Sequence, residues 1–393
     1  MTKSVLISGA SVAGPALAFW LTKYGFTTTI VERADELRDG GYKVDIRGAA
    51  VTVIERMGLL DDVRRLHTDI QDASYVDDDG VKRAELDGDL FGGRTGEDVE
   101  LMRGDLGRLL YDATAGSTEY LFGDHITGLT ETPDGVDVEF ASGLQRRFDL
   151  VVGADGLHSG VRALTFGAEE QFIKHLGAYV AIFSTPNHLG LDRAELLHLD
   201  VDRITNVYST AGASNARAFF MFGSEPIAYE RGQSLNVLRE AFAGARWENP
   251  RLLDSAAEAP DFYFDSLSVV EMSRWSKGRI TLVGDAAYCA SPASGQGTSL
   301  ALVGAYVLAG ELAGAEFDDA FAAYEREMRE FVAKNQQLGR ANAKRMLPKS
   351  RGAIRFHLGF LRALPHLPGK RLISNAILKS IHGPANAISL KHY

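Results

Sequence analysis

Apolar positions open the chain as two short runs on either side of a helical stretch. Ser4-Val-Leu-Ile-Ser8 reads as a buried strand, Pro15 to Tyr24 as a helix and Thr27 to Val31 as a second strand. Gly25 stands where a helix C′ residue belongs. Val51, Ile54, Met57 and Leu60 keep helical spacing, and Val76 to Leu90 reads as a hairpin about Asp79-Gly80. Leu106, Leu109 and Leu110 mark the core face of a helix that opens near Arg103. Tyr120 to Phe148 reads as a small antiparallel sheet: Gly123 to Glu131, a turn at Pro133-Asp134-Gly135, Val136 to Phe140 and a turn at Ser142-Gly143. Asp149 to Gly153 is a further buried strand. From Phe166 to Ser266 the pattern changes. Ala178–Phe183, Leu196–Val201, Thr205–Ser209 and Ala216–Phe222 predict one antiparallel sheet, followed by a short helix over Leu235–Phe242. Ile280 to Val283 returns to a buried strand. A loop with Pro292, Gly295 and Gly297 then leads into an apolar helix from Thr298. Phe317 to Leu338 predicts a charged helix with Tyr324, Met328 and Phe331 inward. Leu358, Phe360, Leu361, Leu364 and Leu367 make the basic tail amphipathic.

These elements predict an α/β protein: a doubly wound parallel sheet, an inserted antiparallel sheet and C-terminal helices. The 393 residues, 45% hydrophobic and 24% charged, allow a large core and two domains. A net charge of −10 argues against nucleic acid as a partner. One cysteine, Cys289, permits no intramolecular disulfide and suits a reducing, cytoplasmic setting. Beside its loop it reads as small apolar packing rather than redox chemistry. No signal peptide is apparent. Stable membrane insertion is not expected, because Gly9, Gly14 and Pro15 break the first apolar stretch and Thr298–Gly310 is short. The tail from Ala343 to Tyr393 has no Asp or Glu. A basic apolar helix can lie on anionic lipid, but packing against the acidic body is the expectation.

Three loops carry candidate chemistry. Gly9-Ala-Ser-Val-Ala-Gly14 lies between strand and helix, with Glu32 at the end of the next strand. That is the layout of a dinucleotide-binding βαβ unit, with Ser11 in place of the middle glycine. Asp155-Gly156 puts a carboxylate at another strand's carboxyl end. Ser159 reads equally as an N-cap, and Arg162 as a surface ion pair. Gly284-Asp285, followed by Pro292 to Gly297, places a carboxylate and a backbone anion site ahead of a helix. Asp45 and Arg47 precede a glycine and a helix start, where they read as ligand contacts or as a solvated pair. Arg103 at a helix N-terminus calls for an anionic or carbonyl partner. Tyr179, Phe183, Tyr208, Phe219, Phe220 and Phe222 are expected mostly in the core, a subset on one face walling a flat ligand.

The order of these loops resembles the single-component FAD-dependent aromatic hydroxylases, class A flavoprotein monooxygenases of the para-hydroxybenzoate hydroxylase type. The resemblance covers essentially the whole chain and looks closest to the short enzymes that act on polycyclic polyketides and antibiotics, the tetracycline-inactivating type among them. It implies a discontinuous Rossmann-like FAD-binding domain (1–70, 98–172 and 268–340), a substrate domain (71–97 and 173–267) and a C-terminal helical segment (341–393). By the resemblance, Gly9, Ser11, Val12, Ala13 and Gly14 line the FAD pyrophosphate. Glu32 meets the adenosine ribose and Arg33 the adenine end. Asp45, Arg47 and Arg103 join the cofactor set. Asp155 and Gly156 serve FAD and NAD(P)H, and Asp285 holds the ribityl chain. Pro292, Gly295, Gln296, Gly297 and Thr298 run along the isoalloxazine. The resemblance implies that NADPH or NADH reduces FAD and that O2 forms a flavin C4a-hydroperoxide. Its distal oxygen passes to an electron-rich ring or enol, so no side chain acts as nucleophile and no metal is needed. The protein is expected as monomer or homodimer. Two departures are Ser299, where many relatives have Asn, and Gly304, where many have Asp. A flavin halogenase would carry a Trp-x-Trp-x-Ile-Pro segment, which is absent here. The same loops also suit a double-bond reductase, which would consume no oxygen, and a non-catalytic antibiotic-sequestering flavoprotein, which would bind without oxidising NAD(P)H.

Overall fold

The computed structural model describes residues 3–38, 40–366, 368 and 370–393. Leu367 lies outside them. The chain begins β1 (Ser4–Ser8), α1 (Ala13–Lys23), β2 (Thr27–Glu32), β3 (Lys43–Ile46), α2 (Ala49–Met57) and α3 (Leu60–Arg65). Next come β4 (Asp72–Val76), β5 (Lys82–Asp87), α4 (Gly88–Gly92), β6 (Val99–Met102) and α5 (Arg103–Asp112). Then follow β7 (Thr118–Phe122), β8 (Ile126–Thr132), β9 (Gly135–Phe140), β10 (Gln145–Phe148), β11 (Leu150–Gly153) and α6 (Gly160–Phe166). The inserted stretch holds β12 (Ile173–Pro186), β13 (Ala194–Asp200), β14 (Arg203–Ser209), β15 (Asn215–Gly223), α7 (Ser234–Ala241), α8 (Asn249–Ala256) and β16 (Tyr263–Val270). The chain closes with β17 (Ser276–Lys277), β18 (Ile280–Leu282), α9 (Asp285–Tyr288), α10 (Gly297–Gly314), α11 (Phe317–Met346), α12 (Arg351–Ala363) and α13 (Lys370–Ala385).

The first sheet runs β17-β18-β11-β1-β2-β7, parallel except at β17. Its central strands β1, β11 and β18 read as apolar runs because both faces are covered. Helices α1, α5 and α10, with the three-stranded sheet β10-β9-β8, enclose it in one core containing Leu6, Leu17, Val138, Val152 and Leu302. Helix α10 has the length and hydropathy of a membrane span, yet most of its side chains are buried in that core.

The second sheet runs β16-β12-β15-β14-β13-β4-β5, so residues 72–87 join the same sheet as the inserted stretch. Strand alternation divides the aromatics. Tyr179, Phe183, Phe220 and Phe222 face α7 and α8, packing on Leu238, Phe242 and Leu252. Each fully buried Phe there contributes ~1.5–3 kcal/mol. Tyr208 and Phe219 belong to the opposite face, with Val180 and Met221, against Ala293 and the end of α11 at Ala343 and Leu347.

The structure corrects several sequence expectations. Tyr120 to Phe122 joins the parallel sheet through β2 instead of the small antiparallel one, and β8 begins only at Ile126. Val44–Ile46 belongs to a two-stranded ribbon, β3 with β6, and Arg47 follows it. Strand β12 is twice the expected length, with a register shift between His175 and Tyr179. Helix α11 continues to Met346, because Gly339 lets it pass the Ala290 carbonyl. In the tail, Leu358 and Leu361 pack on the β4–β5 end of the second sheet, while Lys391 pairs with Glu311 and Glu327.

Candidate functional site

The three loops meet because β2, β1, β11 and β18 are neighbours in one parallel sheet, and each loop leaves a strand's carboxyl end. Gly9 has φ +108°, and a Cβ there would lie 2.5 Å from the Ala154 carbonyl oxygen. A Cβ on Gly14 would lie 1.9 Å from the Gly9 oxygen. Both positions therefore accept only glycine. One on Gly284 would come within 3.2 Å of Ala13 Cβ, so the first and third loops also touch. Ser11 is exposed, whereas Val12, Ala13 and Gly14 are buried. Glu32 Oε2 accepts from the Ala10 N–H (2.9 Å) and Oε1 from the Ala34 N–H (3.0 Å), which pins the carboxylate to the loop mouth. Arg33 is exposed just beyond it.

Arg103 starts α5 and reaches back to the first loop, its Nη1 donating to Ser11 Oγ at 2.8 Å. Its buried Nε has no hydrogen-bond partner among the described residues. The guanidinium also lies 5.9 Å from the Tyr42 ring centroid.

Asp155 organises the second loop. Its Oδ1 accepts from Ser159 Oγ and its Oδ2 from the Val161 N–H at 3.1 Å, while Ser8 Oγ lies 3.4 Å away. Desolvation still pushes the carboxyl above the usual carboxylate range. Ser159 is indeed the N-cap of α6. Arg162 is not a surface residue: fully buried, it donates to Ala286 O (2.9 Å) and Leu157 O (2.6 Å), tying the second loop to the third. Beside Gly156 a Cβ would meet open space.

In the third loop Asp285 opens α9, and desolvation, with a smaller contribution from Asp265, raises its pKa. A Cβ on Gly297 would sit 3.9 Å from Asp285 Oδ1, so the carboxyl lies at the start of α10. The first α10 bond is Leu300 N–H to Gln296 O, leaving the N–H groups of Gly297, Thr298 and Ser299 ahead of it. The side chain of Gln296 is fully buried, yet neither amide atom has a partner among the described residues. Over Gly295 there is again open space, and Pro292 starts a short 3-10 turn. Cys289 is buried with its thiol pKa pushed up by desolvation, as inert packing requires.

Asp45 and Arg47 are a buried pair, not a solvated one: Arg47 Nη2 lies 2.7 Å from Asp45 Oδ2. The guanidinium also holds Gly92 O and Gly93 O, and the Arg47 N–H donates to Ser299 Oγ at 3.2 Å. Ser299 thus couples β3 to the start of α10.

Sequence reasoning missed a group on the second sheet. Tyr263 and Asp265, two apart on β16, share the face toward the loops, and the Tyr263 hydroxyl donates to Asp265 Oδ2 at 3.1 Å. Tyr42 lies 6.2 Å from Tyr263 between ring centroids. Asp265 is close enough to Asp285, Cys289 and Tyr42 to raise the pKa of all three. A carboxylate among Tyr263, Leu267 and Val269 on one face of the strand was the available signal.

A family model described as an FAD binding domain matches residues 2–338. An uncharacterised protein of Mycobacterium tuberculosis is 47% identical over 346 residues, covering 86% of this chain and 92% of that protein. A protein named flavin-dependent monooxygenase, from a prokaryote of unknown identity, is 43% identical over 343 residues, covering 86% of this chain and 89% of its own. Among solved structures, that of tetracycline destructase Tet(51) matches with a TM-score of 0.88 at 34% identity, covering all of both chains.

Proposed function

Because this chain belongs to the FAD-binding-domain family of flavin-dependent monooxygenases, we propose that it uses NAD(P)H and O2 to hydroxylate an electron-rich ring or enol of a polycyclic, antibiotic-like substrate. The observation that carries this reading is the junction at Gln296. There an orphaned buried amide and the leading N–H groups of α10 adjoin Asp285, beside a loop whose Ala293 packs on the second sheet. A flat, carbonyl-rich ring system with a hydroxylated tail satisfies those donors and that acceptor together. The open space over Gly156 and Gly295 and the unpartnered Arg103 Nε fit the same group.

In this reading Gly9 to Gly14 and Arg103 hold the FAD pyrophosphate, Glu32 the ribose, Asp285 the ribityl chain, and Pro292 to Thr298 the ring. When bound, FAD supplies the redox chemistry. The chain's own residues bind, orient and exclude water. The α10 N-terminus favours negative charge developing on the ring next to it. Asp155-Gly156 serves the nicotinamide donor as well. The substrate lies against the inward face of the second sheet. Val180 and Met221 of that face are covered by Ala293 and the end of α11, half-buried Phe219 is its apolar contact, and Asn206 and Arg217 share it by register. The likeness to a tetracycline destructase favours a fused-ring substrate.

The test is the visible spectrum of the purified protein, followed by NADPH or NADH in air with a panel of fused-ring phenols and tetracyclines. We expect oxidised-flavin absorption, donor oxidation accelerated by the right substrate, and one oxygen atom from O2 in the product. A protein that takes up no FAD overturns the reading. Donor oxidation coupled to substrate reduction without oxygen uptake makes it a reductase, and substrate binding without donor oxidation makes it a sequestering protein. As a site control, Asp285→Ala should weaken FAD affinity ~10–100-fold, the worth of one charge-assisted hydrogen bond. Unchanged FAD titration would remove Asp285 from the site.

A further inference from the structure

Residues 343–393 carry ten Lys or Arg and no Asp or Glu, so the first 342 residues carry −20 of a chain whose net charge is −10. The polarity is concentrated where α12 leaves the body. Leu358 and Leu361 face the second sheet. At about 100° per residue, Phe356 points opposite that stripe, while Arg351, Arg355 and Arg362, at spacings of four and seven, form one row between the two. All four side chains are exposed, and Phe356, at 79%, is the most exposed large apolar side chain among the described residues. Lys344, Arg345 and the exposed Met346 close α11, four residues before the helix. At its N-terminal end, Arg351 lines a cavity of about 280 Å³ with Arg203, paired with Asp200, and Arg246, paired with Asp78 and Asp79. Two further acids lie nearby: Asp202, paired with Lys349, and Glu85, paired with Lys82 beside Arg362.

We propose that α12 is a peripheral docking helix for an anionic lipid surface. Phe356 enters the acyl boundary, and the arginine row sits at the phosphates. An exposed phenylalanine flanked by a row of cations supplies the apolar anchor and the charge that an interfacial helix combines. Charge complementarity is local. The molecule as a whole should be repelled by an anionic surface, so attachment must come through this patch. With one inserted side chain and few cations, docking is weak, reversible and salt-sensitive. It is independent of the oxygenase reading.

The full-length, FAD-loaded protein is sedimented with phosphatidylcholine vesicles, with and without phosphatidylglycerol, at low and high salt. Phe356→Trp reports insertion, read against Trp20, Trp247 and Trp275 as background. We expect sedimentation only with phosphatidylglycerol, loss in high salt, and a blue shift of the introduced indole with quenching by brominated acyl chains. R351E/R355E should lower partitioning ~10-fold or more, and Phe356→Ser should lower it as well. The proposal is overturned if neither vesicle sediments the protein at low salt. Binding unchanged in R351E/R355E also overturns it. So does equal binding to heparin or single-stranded DNA with the indole still in water, which would make the patch a polyanion site.

Discussion

His158 lies between two carboxylates from different layers. Its Nδ1 is 3.0 Å from Glu169 Oε2, and its Nε2 is 3.3 Å from Asp265 Oδ1 on the second sheet. The hydrogen bond to Asp265 leads the causes that push its pKa from 6.5 up to about 9. Tyr263 also faces Asp265, and Arg162 lies 4.0 Å from Glu169. A pKa raised on folding means that the bound proton stabilises the fold. The contribution is complete below about pH 6.5 and is lost as pH rises through about 9. The imidazole is 49% exposed, so solvent screening reduces the bridge to roughly 1 kcal/mol. His158→Gln should therefore lower Tm by about 1 °C at pH 6 and leave it unchanged at about pH 10. An equal decrement at both pH values would mean that packing, not charge, is lost. None of this was legible in the sequence: Asp265 lies more than a hundred residues from His158 and meets it only through the pairing of β12 with β16. The Gly9–Gly14 turn with Glu32 was legible, because all its contacts fall within one βαβ unit.

Helix α10 explains the departure from the family pattern at Gly304. A Cβ there would lie 1.9 Å from the Tyr288 hydroxyl oxygen and 3.2 Å from Tyr288 Cζ. The tyrosine occupies the space a larger side chain would need, and its hydroxyl accepts from Tyr324 at 2.9 Å. Gly304→Ala should destabilise by ~1–3 kcal/mol through overpacking. Tyr288→Phe alone removes a hydrogen bond worth about 1 kcal/mol. It also removes the atom in the way, so G304A/Y288F should be no less stable than G304A. Urea midpoints for the four proteins decide this, and simple additivity would count against the clash. Elements with a strong local pattern, such as β1, α1, β18 and α10, were readable from apolar runs and flanking glycines. Strand β7 was assigned to the wrong sheet because its partner, β2, is distant in sequence. Helix α8 went unseen because Asn249, Arg251 and Asp254 dilute its apolar stripe of Leu252, Leu253 and Ala256.

Across the whole molecule, a chain of charges joins the second sheet to the β3–β6 ribbon and the start of α10. On the second sheet, Asn206 Nδ2 donates to Glu195 Oε2 at 2.8 Å, and Glu195 Oε1 is 2.9 Å from Lys43 Nζ on β3. Lys43 also lies 3.5 Å from Glu100 Oε2, which Arg94 Nη1 meets at 2.7 Å. Arg94 is 4.0 Å from Asp45, and Asp45 pairs with Arg47, whose N–H meets Ser299 on α10. Burial alone would lower the Lys43 pKa, but Glu195 and Glu100 together raise it above its usual range, so the ammonium stays charged. Removing one partner leaves a buried charge uncompensated, which costs more than the pair contributes. Glu195→Ala should therefore destabilise by ~3–5 kcal/mol, whereas K43M/E195L, which removes both charges, should recover most of the loss. The break falls between the layers, so in a W20F/W275F background, where Trp247 alone reports the second sheet, its fluorescence should shift to lower urea than far-UV dichroism does in E195A. In the parent protein the two should coincide. Coincident curves in E195A with an unshifted midpoint would mean that apolar contacts alone, such as Ala293 on the inward face, hold the sheets together, and that the charges serve only to orient Arg47 toward α10.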